Sequence, residues 1–252
     1  MAISFRAAGA TATGNDPQTT MVLAVPTGTV STDILIAVIH GGFLPGAVLG
    51  APAGWTLVKN QADATRGSLW IYWALGDVAS KTFSIDVDSV YVGFILGYID
   101  VDNTTPIDAV ATGQNNAAST TGTAPTITTV TDNAWFGCAF GFFDSLAGAP
   151  GTYTIGGGLT ERKTAANQFA TPGTVSIDIG DGIQTPAGAT GTHTTLYSLS
   201  KPNEGITFAL RPSGAPPPPS LSQDPRFNQS PWTALSSDPF NMASLDNNSR
   251  IY

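Results

Sequence analysis

Two stretches, Tyr91-Val-Gly-Phe-Ile-Leu-Gly-Tyr98 and Ala134-Trp-Phe-Gly-Cys-Ala-Phe-Gly-Phe-Phe143, decide the fold. Both are apolar, rich in aromatic and branched residues, and too short to be buried helices, so they read as central β-strands. Side chains alternate along a strand, so Val92, Phe94, Leu96 and Tyr98 share one face opposite Gly93 and Gly97. In the second stretch Phe136, Cys138, Phe140 and Phe142 lie opposite Gly137, Ala139 and Gly141. The expectation is that the large residues point inward. The glycines Gly93, Gly97, Gly137 and Gly141 would then leave flat outer faces for a subunit contact. The run Tyr91 to Ile99 is also the longest apolar stretch, too short for a membrane-spanning helix.

Outward from these strands, short apolar runs recur between turn signals. They are Met21–Val25, Ile34–Ile39, Trp55–Val58, Leu69–Leu75, Thr82–Asp88, Thr126–Val130, Val175–Ile179 and Ile206–Leu210. Phe83, Ile85 and Val87 alternate with polar neighbours, as do Val175, Ile177 and Ile179, and Ile206, Phe208 and Leu210. This predicts strands with one buried and one wet face. Breakers such as Gly41-Gly42, Pro52-Ala53-Gly54 and Gly156-Gly157-Gly158 separate them. The fold class is therefore all-β: a two-sheet antiparallel β-sandwich, jelly-roll-like, of about ten to twelve strands.

Composition agrees. Of 252 residues 11% are charged, about half the usual share, while 28 are Gly, 18 Pro and 33 Thr. Thr-rich polar surface suits strands and turns and suits helices poorly. The net charge of −8 and only ten basic residues exclude nucleic-acid binding, which needs clustered cations. The N-terminus shows no basic region followed by an apolar core, so no signal peptide and no membrane partner are expected.

After Arg211 the pattern stops. Residues 1–211 read as the sandwich domain and residues 212–219, with Pro216 to Pro219 consecutive, as a stiff linker. Residues 220–252 lack periodicity of either kind and read as an extended docking arm. Its singly spaced Phe227, Trp232, Phe240, Ile251 and Tyr252 suit separate pockets on a partner.

Chemistry-bearing residues are few. His40 and His193 are the sole histidines and lie in no nucleophile or zinc motif, so solvated strand-end roles are expected. Cys138 reads as a small buried hydrophobe. Asp100 with Asp102, and Asp178 with Asp181, could offer oxygen ligands to Ca²⁺, but neither group is a full ligand loop, and turn-making is the ordinary role. Asp86 and Asp88 read as ordinary surface. Glu161 and Glu204 have no paired acid near them in sequence, which disfavours a glycosidase. No cofactor and no catalytic residue are expected.

The segments Ala51-Pro-Ala-Gly-Trp-Thr-Leu-Val58, Leu69-Trp-Ile-Tyr-Trp-Ala74, Gly97-Tyr-Ile-Asp-Val-Asp102 with Pro106-Ile-Asp-Ala109, and Ala209-Leu-Arg-Pro212 resemble a β-sandwich module. That module belongs to tailed-phage virion proteins and bacterial surface proteins. The resemblance covers about residues 1–212 and its motifs are structural. It implies a non-enzymatic virion component (capsid decoration, neck or tail) assembled in the host cytoplasm. The partners would be other virion proteins bound through residues 220–252, with a homo-oligomer, plausibly a trimer. The alternatives are a carbohydrate-binding or adhesive module and, less favoured, a glycan-active enzyme.

Overall fold

The computed structural model describes residues 2–14, 19–42, 49–63, 67–76, 79–85, 90–144, 149–168 and 173–215. Among them the chain forms fifteen strands and no helix. In order these are β1 (Ser4–Ala8), β2 (Ala12–Gly14), β3 (Thr20–Leu23), β4 (Ile34–Gly42), β5 (Leu49–Gly50), β6 (Thr56–Asp63), β7 (Gly67–Leu75) and β8 (Lys81–Ile85). They continue with β9 (Val90–Ile99), β10 (Ile107–Ala124), β11 (Ala134–Asp144), β12 (Tyr153–Ile155), β13 (Thr160–Gln168), β14 (Thr174–Gln184) and β15 (His193–Leu210).

The strands make a two-sheet sandwich in which every named pairing is antiparallel. The first sheet runs β1-β9-β4-β7-β6, with β2 also on β9, and the second β10-β15-β11-β14-β13, with β12 on β15. A third, three-stranded sheet runs β3-β8-β5. Between the two large sheets lies the main core. Ile34, Ile36 and Val38 of β4 and Val92, Phe94, Leu96 and Tyr98 of β9 meet Val175, Ile177 and Ile179 of β14 and Ile206, Phe208 and Leu210 of β15. Burying each such side chain is worth about 1.5–3 kcal/mol, which makes this layer the main source of stability.

Both outer faces are covered too, contrary to the expectation of one wet face per strand. On the first sheet, Met21, Leu23, Leu49 and Phe83 of the three-stranded sheet pack on Leu35, Ala37, Ile39, Trp70, Tyr72 and Ile95. On the second sheet, Phe136, Cys138, Phe140 and Phe142 pack against Ala124, Ile127, Tyr197 and Ala209. This second cover comes from β10 and β15, each 18 residues long, which double back. Asn116 Nδ2 bonds both Asn203 Oδ1 and the Thr123 carbonyl, 2.7 and 3.0 Å away. A straight strand would separate residues 116 and 123 by about 23 Å. The doubling occurs where the β10–β15 register slips, between Asn116 and Thr121.

The glycine expectation is corrected here. Gly93, Gly97, Gly137 and Gly141 are all buried within the chain. Gly137 and Gly141 point into the main core: a Cβ at 137 would lie 2.5 Å from the Phe208 ring and one at 141 would lie 2.9 Å from the His40 ring. A Cβ at Gly93 would meet Ile39 and Met21 under the first cover. The large residues Phe136 to Phe142 therefore face outward onto the second cover, the reverse of the expected orientation. The glycines make room for this chain's own side chains and offer no surface to a second subunit. Thr126–Val130 is likewise not a strand, and only Thr128 makes a bridge, to Ala189.

The described residues at the end of the chain, 211–215, are tied to the body. Pro212 bridges Val101, and the Ser213 amide donates to the Asp100 carbonyl at 2.8 Å. Arg211, 1% exposed, lies 3.8 Å from Asp108.

Candidate functional site

Of the residues singled out from sequence, Phe227, Trp232, Phe240, Ile251 and Tyr252 lie outside the described residues, as do Asp86 and Asp88. Asp100 and Asp102 belong to a turn. Asp100 has φ of 62°, and Asp102 Oδ1 accepts the amides of Thr104 and Thr105. Those bonds, the Thr105 amide foremost, hold the Asp102 carboxyl below its ordinary range.

Asp178 and Asp181 lie on opposite faces of β14, so they cannot share a cation. Asp181 faces the main core, where Tyr98 OH donates to it at 3.0 Å and Arg162 Nε at 2.7 Å. Arg162 in turn lies over the rings of Phe5 and Trp135, 4.7 and 5.6 Å from their centroids. Burial raises the Asp181 carboxyl, and Arg162 opposes the shift. Asp178 faces outward, under the second cover. Among the described residues no group of three His, Cys, Asp or Glu side chains is placed to hold a metal ion.

The histidines are not solvated. His40 is wholly buried between the sheets, with Nε2 3.1 Å from Glu204 Oε2, a partner 164 residues away in sequence. His193 is 7% exposed, stacked near Phe136 and hydrogen-bonded through Nε2 to the Thr190 carbonyl. Cys138 is buried, its thiol pushed up to about 12 by burial, and so is inert at neutral pH.

The concave feature that gathers unused polar chemistry is a pocket of about 440 Å³ on the outer face of the second sheet. One side is Pro150, Gly151, Thr152 and Tyr153, and the other is Glu161, Thr164, Ala165 and Ala166 of β13. The first side is fixed by β15. The Ser198 amide donates to the Thr152 carbonyl at 3.0 Å and the Gly151 amide to Tyr197 OH at 2.8 Å. Tyr153 is held by its hydroxyl bond to Ser176 and by ring contacts with Phe142 and Tyr197, at 5.5 and 4.8 Å between centroids.

On the second side, Thr164 pairs with Asp178 and Ala166 with Ser176 across β13 and β14, so these residues share the outer face. Asp178 lies on this face, wholly buried. Its Oδ2 accepts from Thr195 Oγ1 at 2.6 Å, and its Oδ1 has no hydrogen-bond partner. Burial drives this carboxyl up to about 7, with the Glu161 charge adding to the shift and the Thr195 bond opposing it. Glu161 thus gains through strand pairing an acidic neighbour that is remote in sequence. A single accessible carboxylate beside threonine hydroxyls and an aromatic wall can bind a polar ligand; it lacks a base–nucleophile pair.

No protein-family profile, no curated protein and no solved structure matches the chain.

Proposed function

We propose that the protein is a non-enzymatic structural component of a tailed-phage virion, joined to its partner virion proteins by residues 220–252. The observation that carries this reading is the pinned exit of the chain from the body. The Asp102 amide donates to the Arg211 carbonyl at 2.8 Å, Pro212 bridges Val101, and Ser213 bonds Asp100, so the chain is held to the body up to Ser213. The sequence there changes from strand pattern to four consecutive prolines followed by isolated aromatics. A self-contained body with a proline-spaced tail suits a part that is displayed on a particle and held by its end. The Ala209-Leu-Arg-Pro212 motif, at which the resemblance to phage modules ends, coincides with this exit.

Self-association, in this reading, comes from the particle's symmetry and the arm and not from the four buried glycines. The test is particle incorporation. Replacing Trp232 and Phe240 together with Ala should reduce occupancy on purified particles at least about tenfold, the effect of losing anchor side chains worth about 2 kcal/mol or more in total. Wild-type occupancy of the double variant would place the attachment on the body instead.

A further inference from the structure

We propose that the pocket between Tyr153 and Glu161 binds a neutral, hydroxyl-rich ligand, a sugar unit of a glycan. The proposal is independent of the virion assignment, since it concerns the body alone.

The wall chemistry selects this class. A sugar hydroxyl is donor and acceptor at once, and the pocket offers both kinds of partner: the Glu161 carboxylate and the Thr152 and Thr164 hydroxyls. Tyr153, its hydroxyl bonded to Ser176 and its ring packed on Phe142 and Tyr197, makes a fixed wall of the pocket, so little freedom is lost on binding. The pocket volume of about 440 Å³ lies within the range of small-ligand sites.

Charged ligands fit less well. Among the described residues no Lys, Arg or His lines the pocket. The neighbouring cations of β13 are turned to the other face, Arg162 to Asp181 and Lys163 to the Phe94 ring at 5.6 Å. An anion would meet Glu161 alone. Among the described residues a divalent cation would find one accessible carboxylate and no group of three metal ligands.

The test uses the purified full chain, titrated by NMR with glucose, galactose, N-acetylglucosamine and their disaccharides, each to ~10 mM, enough to saturate a site with Kd near 1 mM. At least one should bind saturably. Glu161→Gln and Thr164→Val, both at exposed positions, should weaken it about tenfold, the loss expected for a hydrogen bond to a charged or hydroxyl partner. Ala166→Phe, which fills the pocket without removing a polar group, should abolish it. Each variant is checked by its unfolding midpoint. Three outcomes would overturn the proposal: no saccharide binds, binding is unchanged in all three variants, or Ca²⁺ or a primary ammonium compound binds there while no saccharide does. Particle incorporation is a separate readout, so failure of this proposal and failure of the virion assignment are distinguishable.

Discussion

The two outer faces of the sandwich are covered in different ways. Over the first sheet lies a three-stranded sheet whose buried contacts are apolar: Met21, Leu23, Leu49 and Phe83 on Leu35, Tyr72 and Ile95. Over the second sheet lies the folded-back part of β10 and β15, where Ala124 and Tyr197 pack on Phe136 to Phe142 among many threonines and serines. Beneath it sit Ser176 and Asp178 of β14, both buried, and Thr195 of the cover itself bonds Asp178. The apolar cover gains its stability from area removed from water and tolerates no loss of volume. The second cover must in addition satisfy the polar groups it buries, as Thr195 Oγ1 does by donating to Asp178 Oδ2 at 2.6 Å.

The largest expected effect breaks the first cover. Phe83 is wholly buried and touches Trp55 and Tyr72 edge-on, with centroids 5.4 and 5.5 Å away. Phe83→Ala should lower unfolding stability by about 3–5 kcal/mol in a urea titration. A loss under about 1 kcal/mol would mean that the three-stranded sheet is not packed on the body as described.

The second cover breaks by overlap. A Cβ at Gly205 would collide with the carbonyl oxygen of Thr123, a backbone atom that cannot swing aside. Gly205→Ala should cost about 3 kcal/mol and raise hydrogen exchange in residues 121–124 and 193–197 first. Unchanged exchange there would show that the two strands do not fold back.

The asymmetry was only partly legible in the sequence. The alternation of Phe83, of Val175 to Ile179 and of Ile206 to Leu210 announces strands because apolar residues at period two have one stable use. Nothing comparable marks β10, with its Gln114-Asn-Asn-Ala-Ala-Ser-Thr120 middle, or β13, with Thr160-Glu-Arg-Lys-Thr164. Their strand character comes from hydrogen bonds to neighbours far along the chain, which local composition does not encode. For the same reason the sequence reading inverted the faces of β11. Both faces are buried, so the size of the residues could not say which one meets the other large sheet. The pocket was illegible because its members, Tyr153, Glu161 and Asp178, are joined only by the β13–β14 register and the β12–β15 pairing.

A pH-dependent effect sharpens the polar side of the comparison. Asp178 titrates near 7 when folded against an ordinary 3.8, so the folded state holds its proton more tightly. That contribution to stability is fully present below about pH 4, is lost as pH rises from about 4 to about 7, and changes no further above that. Asp178→Asn keeps an acceptor for Thr195 and removes the titration. Its unfolding midpoint should be flatter than the wild type's across this window. Parallel curves would show that Asp178 carries no such shift.

The account turns on the separation of a self-sufficient body from an attaching tail. The most direct measurement is to co-express the full chain with a version ending at Pro216 during particle assembly, and to compare the two in purified particles and in thermal unfolding. The truncated chain should unfold cooperatively at nearly the full chain's midpoint and be absent from particles. A truncated chain that is folded and present at the full chain's occupancy would contradict the account.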